Sequence, residues 1–186
     1  VAGALALERA RAAGVPTAVL PHRGYPSRQA YDAQLVALLR EHTPSVLDRG
    51  WVVLAGFMRL LTSTFLDALP GRVINIHPSL LPSFAGLDAH GQALAAGVKV
   101  SGATVHLVDS GTDTGPILGQ AVVPVLPHDD HDTLAARVLT WEHRLLPQVL
   151  QWIAEGRLRH REGRPYIDGV VPVLGLQVPA DDHPAL

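Results

Sequence analysis

The chain has 186 residues, a formal net charge of −2, 47% hydrophobic residues and no cysteine, and reads as one domain over residues 1–186. Near-neutral charge argues against nucleic-acid binding, which needs a basic surface, and zero cysteines exclude disulfide scaffolds, zinc–cysteine sites, iron–sulfur sites and cysteine nucleophiles. No apolar run reaches the roughly 18 residues that cross a bilayer, and Glu8, Arg9 and Arg11 interrupt residues 1–14 in a way a signal peptide does not.

Residues 5–13 mix charges with alanine and leucine, which predicts a helix that stops at Gly14. Residues 16–20 form a short apolar run of strand length, and 22–26 a loop. Ser27 can cap a helix whose apolar face takes Ala30, Leu35, Val36 and Leu39. Residues 51–55 are continuously apolar, as in a strand covered on both faces. A short helix over 62–69 and a strand over 72–76 follow. Residues 77–86 form a loop held by Pro78 and Pro82, and Asp88 starts a helix to about residue 96. Two β-rich segments, 103–108 and 117–125, flank a glycine loop and are close enough to pair antiparallel. Asp132 is the expected cap of a long helix over 133–155, and short strands fill the tail from Gly156. Strands alternating with helices predict an α/β fold: an open, mostly parallel twisted sheet with helices on both faces.

Ligands in such sheets gather beyond the carboxyl ends of the strands. That rule selects Gly56-Phe57-Met58-Arg59, Asn75-Ile76-His77-Pro78 and the loop carrying Asp113. Residues i and i+2 of a strand point the same way, so Asn75 and His77 can face one cleft while Ile76 enters a packed layer. Asn supplies amide donors to a developing oxyanion, His exchanges protons near neutral pH, and Asp113 can orient the imidazole. With no Ser or Cys beside them, the trio suits direct transfer to an external nucleophile. On the residues alone, other roles stay open: Asn75 as a strand stop, His77 as a packing or capping group, Asp113 as a turn former. The run His128-Asp129-Asp130-His131-Asp132 has metal-ligand types, but it reads as a polar loop ending in a helix cap, and no metal is expected.

Asn75-Ile76-His77-Pro78-Ser79-Leu80-Leu81-Pro82, followed by Gly111-Thr112-Asp113-Thr114-Gly115-Pro116-Ile117, resembles the phosphoribosylglycinamide formyltransferase family of folate-dependent formyltransferases. Leu54-Ala55-Gly56-Phe57-Met58-Arg59, Ser27-Arg28-Gln29-Ala30-Tyr31-Asp32 and residues 137–147 support the match, which runs in order to about Gly169. The Asn-x-His with a downstream Asp-x-Gly-Pro is shared across the superfamily. The context around Pro78 to Pro82 and Gly86 to His90 leans toward the glycinamide ribonucleotide branch. The resemblance implies a formyltransferase-like fold and transfer of a formyl group from 10-formyltetrahydrofolate, a co-substrate, to the amine of glycinamide ribonucleotide in purine biosynthesis. It implies Asn75, His77 and Asp113 as catalytic residues. It places folate against Arg28, Met58, Arg59, Leu60, Leu61, Val108, Asp109, Ser110, Gly111 and Thr112, with Arg28 on the glutamate tail. Glu142 would receive ribose hydroxyls and His106 would support the centre. A cytoplasmic monomer or weak homodimer, with no nucleic-acid or membrane partner, is the expected setting.

Three departures from the family pattern bear on these expectations. Family members open with a strand, a Gly- and Ser-containing turn and a helix that cradle the substrate phosphate. The sequence is expected to lack that first β-α unit. Leu139 stands where a polar side chain is usual near the phosphate, and Asp88 where His is common. Two further readings follow: a formyltransferase for an amino sugar nucleotide, and a folate-binding relative without catalysis.

Overall fold

The structure is a computed structural model, which describes residues 4–175. Its elements run α1 (Leu5–Ala12), α2 (Arg28–His42), α3 (Ser45–Asp48), β1 (Val52–Leu54), α4 (Ser63–Leu66), β2 (Val73–His77), α5 (Ala89–Ala96), β3 (Val100–Leu107), β4 (Ile117–Pro124) and α6 (His131–Ala154). Three short strands end it: β5 (Leu158–Arg161), β6 (Arg164–Ile167) and β7 (Val173–Leu174). The main sheet has the order β1-β2-β3-β4-β7, and β5–β6 form a separate hairpin. This is the α/β open sheet expected, but mixed and not mostly parallel: among the described residues β1–β2 and β4–β7 are parallel, and β2–β3 and β3–β4 antiparallel.

The sheet is covered on both faces, and the two-residue period of β2 shows how. Val73 packs into a cluster with Val36, Val46, Leu61, Phe65 and Leu69, built by α2, α3 and α4. Its neighbour Ile74 points the other way, into the core beneath α6. There α6 lays down Leu134, Val138, Leu145, Val149 and Trp152 on Ala103, Val105, Ala121 and Val123. Gly119 lets the helix come close, since a Cβ there would sit 3.0 Å from the Val149 side chain. Arg72 ties α3 to the sheet by donating to the carbonyls of Val46, Leu47 and Gly50.

Several sequence expectations need correction. Residues 16–20 are not a strand, and Val15 and Val19 are exposed. Apolar, β-branched composition makes a segment fit for a sheet, but a strand exists only where a neighbour completes its ladder, and among the described residues none pairs there. For the same reason β1 is an edge strand with Val53 37% exposed, not a strand buried on both faces. The buried face of α2 is carried by Tyr31, Asp32 and Val36, while Leu35 and Leu39 pack only partly and Ala30 is half-buried. Finally, Asp130 and not Asp132 caps α6. Its carboxylate accepts from the Thr133 N–H at 2.8 Å, and the Thr133 hydroxyl accepts from the Asp130 N–H at 2.9 Å. That reciprocal box needs the acid three residues before the Thr, a spacing Asp132 lacks.

Asp129, next in the same loop, forms a two-pronged ion pair with Arg137 at 2.5 and 2.7 Å. The guanidinium holds the Asp129 carboxyl down at about 2, against 3.8 for an ordinary aspartate. The unfolded chain therefore takes up the proton first as the solution is acidified. The pair's stabilisation is complete above about pH 4 and fades as pH falls toward 2. Asp129→Asn is expected to cost about 1.5–3 kcal/mol in urea unfolding at neutral pH. That deficit should shrink steadily in the same measurement on acidification.

Candidate active site

The β2–β3 pairing builds the centre. Asn75 lies directly opposite His106 and His77 opposite Thr104, so one face of two strands gathers an amide, two imidazoles and a hydroxyl. Their neighbours Ile74, Val105 and Leu107 fill the core on the other face. His77 and His106 are both buried, at 5% and 2% exposure.

Asp113 reaches this pair from the glycine loop between β3 and β4. Its φ of 55° is in the left-handed region, which Asp tolerates better than most side chains. One carboxylate oxygen lies 3.3 Å from His77 Nδ1 and accepts the Gly86 N–H at 2.9 Å; the other lies 3.6 Å from His106 Nε2. His77 Nε2 is 2.9 Å from the Phe84 carbonyl. An imidazolium donates from both nitrogens, and both find acceptors here.

His106 is a different case. Its Nδ1 lies 2.9 Å from the Leu107 carbonyl, which can only accept, so Nδ1 carries the hydrogen. Burial pushes the His106 pKa down, only partly opposed by the Leu107 carbonyl and Asp113. The ring is therefore neutral near pH 7 and its Nε2 offers a lone pair. Asn75 Nδ2 donates to that lone pair at 3.2 Å. This fixes the amide, because the alternative flip would set oxygen against the lone pair. The second Nδ2 hydrogen is left for a ligand.

A cavity of about 420 Å³ opens beside this centre, beyond the carboxyl ends of β1 and β2. It contains Asn75, His77, His106 and Asp113, with Met58, Arg59, Leu60 and Leu61 on one side and Val108, Asp109, Gly111 and Thr112 on the other. Ser110 and Arg28, two expected folate contacts, are not in this lining; Arg28 opens α2 as an exposed residue. A second cavity of about 790 Å³ shares Gly56, Met58, Ile76 and Pro78 with the first. Its polar lining is Arg9, His90, Glu142 and His143, and Leu139 stands on its apolar wall. Burial raises the Glu142 pKa, against the pull of His143 and His77.

Some participants carry no signal in the sequence. The Phe84 carbonyl and Gly86 N–H act through backbone atoms, and His90 lines the second cavity with its Nδ1 buried and unpartnered. Among the described residues no three His, Cys, Asp or Glu side chains are placed to hold a metal, and no helix is long and apolar enough to cross a membrane. The run 128–132 is divided instead: Asp129 pairs with Arg137, Asp130 caps α6, and His131 lies 3.3 Å from Asp88.

An amide, two imidazoles and a carboxylate beside one cavity can polarise and protonate a bound group. Fold and site thus suit a group-transfer enzyme. The family model described as Formyl transferase matches residues 2–150, and the chain belongs to that family.

Phosphoribosylglycinamide formyltransferase of Escherichia coli K12 is 45% identical over 168 residues, covering 90% of this chain and 77% of that protein. The trifunctional purine biosynthetic protein adenosine-3 of Drosophila pseudoobscura pseudoobscura is 49% identical over 158 residues, 85% of this chain. This chain spans only 11% of that longer protein. Among solved structures, glycinamide ribonucleotide transformylase 1 of Symbiobacterium toebii superposes with a TM-score of 0.83 at 48% identity, covering 90% of this chain and 76% of that one.

The neutral state of His106 is directly measurable. Its NMR titration is expected to give a pKa below 6.5, the ordinary imidazole value. The unfolded ring then protonates first, so stability declines as pH drops below 6.5 toward the folded value. A titration midpoint above 6.5 would overturn the direction of the shift, and one above about 7 would leave the ring mostly charged at neutral pH and unable to accept from Asn75.

Proposed function

We propose that the chain transfers a formyl group from 10-formyltetrahydrofolate to the amine of glycinamide ribonucleotide, in de novo purine biosynthesis. The observation that carries this reading is the Asn75–His106 and His77–Asp113 constellation lining the first of two adjoining cavities, in a chain of the formyl transferase family. The first cavity takes the folate, with the pterin between residues 58–61 and 108–112. The second takes the nucleotide, whose ribose hydroxyls meet Glu142. The shared wall at Gly56, Met58, Ile76 and Pro78 brings amine and formyl group together.

The free amine attacks the formyl carbon, and the carbonyl π electrons move to oxygen, giving a tetrahedral oxyanion. The remaining Nδ2 hydrogen of Asn75 donates to that oxygen. Both His77 nitrogens already face acceptors, the Phe84 carbonyl and Asp113, which orient the ring beside the reacting carbon and leave room there for an imidazolium that acts by its charge. As the intermediate collapses, the C–N10 bond breaks, the amine loses a proton and N10 gains one. Asp113 is the carboxylate placed to relay it. The products are formylated nucleotide and tetrahydrofolate.

The test is loss of the formyl donor in the presence of glycinamide ribonucleotide. Turnover with an amino sugar nucleotide, and none with glycinamide ribonucleotide, would overturn the acceptor assignment. Asn75→Ala is expected to lower kcat by roughly 10²–10³, the usual effect of losing one oxyanion donor, and Asp113→Asn, which removes the proton relay, by roughly 10²–10⁴. Either variant turning over at the wild-type rate would remove that residue from the mechanism.

A further inference from the structure

Residues 57–61 line the first cavity without regular secondary structure. Among the described residues, none of their backbone N–H or C=O groups bonds to another protein backbone group. A segment with free polar groups on one side and no ladder on the other needs something to fix its course. Besides the packing of Phe57 and Leu61 on the cluster around Val73, the structure supplies two polar anchors, both from consecutive residues of α2.

Tyr31 and Asp32 are buried to 6% and 2% exposure on a helix whose other charged residues face solvent. The Arg59 guanidinium sits 4.6 Å above the centre of the Tyr31 ring, and Tyr25 meets that ring edge-on at 5.4 Å. Asp32 accepts from both the Thr62 N–H at 2.6 Å and the Thr62 hydroxyl at 2.7 Å, through the same oxygen. Thr62 is the N-cap of α4, yet its hydroxyl makes no capping bond. It is diverted to Asp32 instead. A buried carboxylate is costly unless well satisfied, so its placement against one loop residue is specific.

We infer that Tyr31 and Asp32 are positioning residues that set affinity for the folate co-substrate by clamping residues 59–62 at both ends. Arg59, stacked on Tyr31, is thereby a post of the cavity wall whose in-plane N–H groups stay free. The inference rests on the first cavity taking folate, as proposed above.

The experiment measures the Kd of tetrahydrofolate by calorimetry, together with kcat, both KM values and Tm, for the wild type and four variants. Tyr31→Leu removes the ring under Arg59, and Tyr31→Phe keeps it. Asp32→Ala removes the acceptor, and Thr62→Val removes one donor while leaving the Thr62 backbone bond. Tyr31→Leu, Asp32→Ala and Thr62→Val should each raise the folate Kd and KM by about tenfold, a typical worth of one cation–π contact or charged hydrogen bond. Their kcat at saturating folate and KM for the nucleotide should stay within about twofold. Tyr31→Phe should bind folate like the wild type. Thr62→Val keeps the test open should Asp32→Ala fail to fold.

Unchanged folate Kd in folded Tyr31→Leu and Thr62→Val overturns the clamp. So does a parallel rise in the nucleotide KM with a fall in kcat, which marks general loosening. A wild-type protein that does not bind tetrahydrofolate overturns the folate reading and this inference with it.

Discussion

The register between β2 and β3 is the constraint on which the centre depends. Asn75 faces His106 and His77 faces Thr104 only because the two strands pair in that alignment. A slip of β2 by one residue would turn Ile74 and Ile76 toward the cavity and bury Asn75 and His77 in the core beneath α6. The register is therefore enforced by apolar packing on the far face. The core that stabilises the fold and the polar face that carries the chemistry are two sides of the same pairing.

The loop after β2 adds a second level of control. Thr104 accepts from the Leu81 N–H and donates to the Ser79 carbonyl, while Gln120 on β4 donates to the Leu81 carbonyl and to Thr104. Those bonds seat the segment that presents the Phe84 carbonyl to His77 and the Gly86 N–H to Asp113. His77 and Asp113 are thus oriented by one loop as well as by each other. Such pre-orientation matters because a polar group that must reorganise during reaction stabilises little.

Residues acting through their own side chains in a local pattern were legible from sequence. Alternation along 73–77 placed Asn75 and His77 on one face, and the glycine loop pointed to Asp113 as their partner. The helix over 88–96 with Asp88 as its cap, and the antiparallel pair flanking the loop, also follow from local signals. What stayed hidden depends on partners far along the chain or on backbone atoms. Asp32 looks like an ordinary helix charge until Thr62, thirty residues on, is seen beside it. The Phe84 carbonyl has no side-chain signature at all. Residues 16–20 have strand composition, but composition cannot supply a neighbour. At α6 the choice between Asp130 and Asp132 turned on a three-residue spacing to Thr133 that a count of acidic residues overlooks.

The wall common to the two cavities has a thermodynamic consequence. Gly56, Met58, Ile76 and Pro78 border both spaces, and Met58 is 81% exposed, with room for its side chain to move. A ligand that presses this partition to one side changes the shape offered to a ligand on the other. Linkage then makes the effect reciprocal: the factor by which the first occupant alters affinity for the second equals the factor in the opposite direction. Such a coupling runs through the position of a single thioether side chain, is the same whichever ligand binds first, and requires no domain movement.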